Sequence, residues 1–132
     1  MNRGARIELG ISEDISNQLR DKLFYAGFLV AMSEAVKAIC SIELCGASIS
    51  SVSFKDNMIV VYIYNDEYLG FDELFTSMGH ICSSATLEFN RAFSAYTHGL
   101  FLGSDIDDTF EEIISFATRG AVFIPNLILE RG

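Results

Sequence analysis

The sequence predicts an α+β fold: a small antiparallel sheet packed with two long helices and one short helix. Three observations lead there. Apolar residues recur at spacings of three and four through two long stretches, 15–40 and 71–96. Two strand-like runs flank Asp56-Asn57, a pair that tolerates left-handed backbone and so suits a tight hairpin. A third strand-like run, 121–129, closes the chain.

The first helix reads from Ser12, with a capping hydroxyl followed by Glu13 and Asp14 at the positive end of the dipole. Ile15, Leu19, Leu23, Ala26 and Val30 continue at helical spacing, and Val36, Ile39 and Cys40 prolong it. Between Leu23 and Met32 the added Phe24, Phe28 and Leu29 carry apolar character almost around the helix. Such a helix is buried or shared with a second subunit.

A central hairpin follows over 47–64. Met58 to Tyr64 is apolar at both parities, as in a strand covered on both faces. Its partner changes phase between Ile49 and Val52, so a bulge is expected near Ser50-Ser51. The second long helix starts at Phe71 and ends at Gly99, with Phe75, Met78, Cys82, Phe89 and Phe93 facing inward. Ser104, in a Ser-x-x-Asp frame with Asp107, opens a third helix that stops at Arg119-Gly120. Pro125 interrupts the final strand and belongs at an edge or a bulge. Arg6 to Leu9 offers a short additional strand.

With 132 residues, half of them hydrophobic, the chain is expected to form a single acidic domain over 1–132. No secretory signal is expected at the N-terminus. The apolar run Leu23–Met32 is about ten residues, against the roughly 20 needed to span a bilayer, so no membrane is expected. Cys40, Cys45 and Cys82 form no CxxC pair and read as buried reduced thiols, which favours the cytoplasm.

The net charge of −9 is unevenly distributed. Residues 1–55 hold six acids and six bases, whereas 56–118 hold eleven acids and one base, Arg91. Phosphate binding calls for clustered Lys and Arg, so nucleic acid is not expected as a direct ligand. Asp105, Asp107, Asp108, Glu111 and Glu112 share the third helix, and Asp66 and Glu67 precede the second. Together they form a candidate acidic face for a basic protein surface.

No arrangement for catalysis stands out. His80 and Cys82, two apart on a helix, point in roughly opposite directions and cannot share a metal. Neither a nucleophile elbow nor a phosphate-cradling glycine loop occurs, and Phe110 occupies the position where a calcium loop needs glycine. No cofactor and no metal are expected. The first reading is therefore a non-catalytic binding module, an acidic inhibitor or immunity-type protein docking on a basic partner such as a toxin or a nucleic-acid-binding protein. One alternative is a homodimeric, chaperone-like scaffold joined through Phe24, Phe28 and Met32. The other is an enzyme of unknown class.

Overall fold

The computed structural model describes residues 4–65, 69–101 and 110–130. In chain order the elements are β1 (Gly4–Ile11), a 3-10 turn (Gln18–Arg20), α1 (Lys22–Cys40), β2 (Ser48–Lys55), β3 (Met58–Tyr64), α2 (Phe71–Phe101), α3 (Glu111–Arg119) and β4 (Phe123–Glu130). The four strands form one sheet in the order β2-β3-β1-β4, with every neighbouring pair antiparallel. Strand β3 lies between β1 and β2, and β1 lies between β3 and β4. Each half is thus a β-α-β unit split by a strand of the other, the ferredoxin-like arrangement.

The fold class is as the sequence predicts. The hairpin turns on Asp56 and Asn57, both left-handed at φ 53° and 62°. Register slips between Ile49 and Ser51, where the bulge is expected. Helix α3 stops at Gly120, whose φ of 77° favours glycine. Pro125 sits within edge strand β4, opposite Leu9, without breaking it.

Alternation on the strands divides the sheet into two faces. Ala5, Ile7 and Leu9 of β1 and Ile59, Val61 and Ile63 of β3 are buried in the core with α1 and α2. Six phenylalanines fill the space between helices and sheet. Phe24 meets Phe93 at 5.4 Å, Phe93 meets Phe116 at 4.9 Å, Phe28 meets Phe89 at 5.8 Å and Phe89 meets Phe123 at 5.4 Å. Such tilted and edge-on contacts add to the area term that dominates the core. The opposite sheet face carries Arg6, Glu8, Val60 and Tyr62.

Several expectations need correcting. Residues 12–14 do not start a helix. Strand β1 runs to Ile11, and the Ser12 amide donates to the Val122 carbonyl at 2.9 Å. Asp14 instead accepts from the Ser16 amide and hydroxyl at 3.0 and 2.6 Å, and those bonds hold its carboxyl below the usual range. The true cap is Asp21, which accepts from the amides of Leu23 and Phe24. Helix α2 passes Gly99 to end at Phe101. Phe75 is 56% exposed and stacks on exposed Phe71 at 6.4 Å. Cys40 and Cys45 are exposed as well.

Phe24, Phe28 and Met32 lie inside the chain's own core at 1%, 0% and 0% exposure, so none offers a dimer surface. Strand β1 gives the sheet a fourth strand for the apolar helices to cover. By length and composition the 19-residue α1 is long and apolar enough to cross a membrane, which a ten-residue run did not suggest. Its inward side is packed into the core.

Candidate functional site

The residues that place chemistry on the sheet face opposite the α1–α2 core come from β1, β2 and β3. Register sets Tyr62 opposite Arg6 on one side and Ser51 on the other. One step along, Val60 lies between Glu8 and Ser53, and beyond it Met58 pairs with Lys55 beside the hairpin turn. Asn126 of β4, opposite Glu8, donates to its carboxylate at 3.5 Å. These rows follow from strand period: residues at i, i+2 and i+4 share a face, so Arg6 and Glu8 emerge where Ile7 and Leu9 do not.

Two clefts adjoin here. The first, about 280 Å³, is lined by Arg6, Glu8, Ser53, Lys55, Asp56, Met58, Val60 and Tyr62. The second, about 230 Å³, lies around the hairpin tip and the segment after β1, with Glu13, Asp14, Ser16 and Asn57 in its wall. Asp56 and Met58 belong to both, so the hairpin forms their shared rim. The positive φ at Asp56 and Asn57 lets a two-residue connection close the strands and projects the turn beside residues 13–16. Glu13 is engaged by Arg119, which donates to both carboxylate oxygens at 3.1 Å and so ties this segment to the end of α3.

The first cleft holds cations and carboxylates in balance, Arg6 and Lys55 against Glu8 and Asp56, whereas the charged residues lining the second are the acids Glu13, Asp14 and Asp56. Among the described residues, no group of three or more His, Cys, Asp or Glu is arranged to hold a metal ion. A larger groove of about 480 Å³ runs between α1 and α2, lined by Val30, Glu34, Glu88, Arg91, Ala92, Ala95 and Tyr96. Its lining is mainly apolar, and Arg91 is already bonded to Glu88 at 2.9 Å. The sheet face, with several polar groups converging beside an aromatic ring, is the better candidate for a specific ligand.

No protein-family model matches the chain, and no curated protein matches it. Solved structures do. The chain is similar to a bacterial tRNA(His) guanylyltransferase (Thg1)-like protein in complex with GTP, with TM-score 0.61 and 15% identity over 98% of this chain and 55% of that one. It is similar also to such a protein in complex with ATP, with TM-score 0.60 and 15% identity over 98% of this chain and 50% of that one. The chain thus spans about half the length of these neighbours, and at this identity the likeness is one of fold.

That likeness overturns the functional expectation drawn from charge. A fold covering nearly the whole chain and found in nucleotide-bound, transferase-like proteins does not support an acidic inhibitor or immunity protein. It equally removes the ground for excluding an enzyme and for excluding nucleic acid in favour of a basic protein partner. Net charge is a poor guide to ligand class, because a nucleotide site is local and needs only a few placed groups.

Asp66, Glu67, Asp105, Asp107 and Asp108 fall outside the described residues, as does Ser104. Glu111 and Glu112 are exposed in the first turn of α3, where the helix dipole favours acids. His80 and His98 are both exposed on α2. None of the described ones lines either cleft. Sequence reading missed Arg6, Glu8, Lys55, Asp56 and Tyr62 as a group. The available signal was the alternation of Arg6 and Glu8 with Ala5, Ile7 and Leu9, the mark of a half-covered strand.

Proposed function

We propose that this chain is a nucleotide-binding domain that takes a nucleoside triphosphate, GTP or ATP, in the clefts between the open sheet face and the β2–β3 hairpin. We further propose that it serves an enzyme of the nucleotidyl-transfer class acting on RNA. The observation that carries the reading is the likeness in fold, over 98% of the chain, to proteins solved with GTP and with ATP. The first cleft supports it from the side of the chain itself, because its lining brings the Tyr62 ring together with Arg6, Lys55, Glu8, Asp56 and Ser53. A cytoplasmic location, where nucleoside triphosphates are made and used, goes with this reading.

Calorimetric titration of the purified chain with GTP and with ATP tests binding. Saturable heat with a Kd at or below the millimolar range is expected, the range in which enzymes meet such substrates. Transfer of label from the α-phosphate of GTP into an RNA acceptor tests the reaction class. A chain that binds neither nucleotide contradicts the proposal.

A further inference from the structure

The larger cleft is unusual for a nucleotide site in its charge. The chain carries −9 overall, and the two cations lining this cleft, Arg6 and Lys55, are matched by Glu8 and Asp56. A polyphosphate tail gains affinity from clustered Lys and Arg and from the counterions they displace. No excess of positive charge is present here to do that. What the cleft offers without offset is an aromatic ring with apolar neighbours: Tyr62 stands half-buried in the middle of β3, with Val60 and Met58 following on the same face. An uncharged, flat heterocycle is the ligand part that such a surface complements. Stacking on an aromatic side chain accepts every base, because each presents a π-face.

On the nucleotide-binding reading, we infer that this face holds its ligand by the base, stacked on Tyr62, and that the phosphates contribute little to affinity. Tyr62 is then the residue that fixes the ligand class as nucleoside-like, with discrimination between bases left to the flanking polar groups. Three consequences separate this from a phosphate-led site. Guanosine and adenosine compete for the cleft almost as well as their triphosphates. Affinity depends weakly on salt. Loss of the ring weakens nucleosides and triphosphates by the same factor.

The test is competition of GTP, ATP, guanosine and adenosine for the intact chain at two salt concentrations, in wild type, Tyr62→Phe, Tyr62→Leu and Tyr62→Ala. We expect guanosine within about 10-fold of GTP, and a loss of about 5- to 150-fold on removing the ring, the measured range for base–aromatic stacking. Tyr62→Phe should keep wild-type affinity. Tyr62→Leu keeps apolar volume without the ring, so it reports on stacking even where Tyr62→Ala does not fold, and guanosine competition in wild type requires no variant. GTP binding that guanosine fails to compete, that falls steeply with salt, or that survives Tyr62→Leu unchanged overturns the inference while leaving nucleotide binding in place. Failure of every nucleotide and nucleoside to bind overturns both.

Discussion

Gly27 of α1 sits directly beneath the ring of Tyr96 on α2, close enough that a side chain at Gly27 would collide with the ring carbons. A β-carbon there would also lie 3.2 Å from the Phe93 ring. Tyr96 cannot swing away freely, because its hydroxyl donates to the Leu23 carbonyl at 2.6 Å, one turn before Gly27. Burial together with nearby Asp21 raises its pKa, which keeps that donor proton in place. The two long helices therefore approach each other through a glycine and lock through a phenol.

Gly27→Ala should destabilise the fold by about 1–3 kcal/mol, the usual cost of overpacking. In an exposed helix the same change would stabilise by about 0.5–1 kcal/mol, so the sign alone distinguishes the two situations. Denaturant melts of Gly27→Ala, Tyr96→Val and the double variant provide the check. The cost of the alanine should shrink when the ring is absent, as coupled neighbours require.

Phe89 is fully buried and touches Phe28, Phe93, Phe116 and Phe123, so it joins both long helices, α3 and β4. Phe89→Ala should cost about 3–5 kcal/mol. Phe75→Ala, at a position 56% exposed, should change stability by less than about 0.5 kcal/mol. Thermal melts of the two variants side by side would show whether the inward stripe of α2 is assigned correctly.

Phe75 also marks the limit of what periodicity could deliver. Its spacing from Phe71 and Met78 is as regular as that of Phe89 from Phe93, yet in the first turns of α2 it is Leu74 and Ser77 that turn inward, and the Phe71–Phe75 pair stays outside. The hairpin was legible because Asp56-Asn57 leaves the chain few alternatives, and the bulge because Ile49 and Val52 break phase. Strand β1 was barely legible: Arg6 and Glu8 make it polar on one side, and its pairing with β3 and β4 is long-range. The candidate site was illegible for the same reason. Tyr62, Arg6 and Lys55 come together only through the strand order β2-β3-β1, which no local pattern encodes. Charge misled because it was summed along the chain, while the first cleft combines charges from β1, the end of β2 and the hairpin turn.

Asn90 grips Ala121 by both ends of its amide. Its Nδ2 donates to the Ala121 carbonyl at 2.9 Å, and its Oδ1 accepts from the Ala121 amide at 2.7 Å. This fixes the chain between α3 and β4 against α2, and the Cys82 thiol, donating to the Phe123 carbonyl, continues the seam. Asn90→Leu should leave both backbone groups of Ala121 without their side-chain partners, at a cost of about 1–3 kcal/mol. Amide exchange should then accelerate at Ala121 and Phe123 well before it does in β3.

The most direct test of nucleotide binding on the open sheet face is a two-dimensional amide NMR titration of the intact chain with GTP. Shifts should concentrate at Arg6, Glu8, Lys55, Asp56, Met58 and Tyr62, while Val30, Ala92 and Ala95 in the α1–α2 groove stay still. Saturation of those cleft signals with one common Kd is the expected result. No shift at millimolar GTP, or shifts confined to the α1–α2 groove, would contradict the assignment of the site.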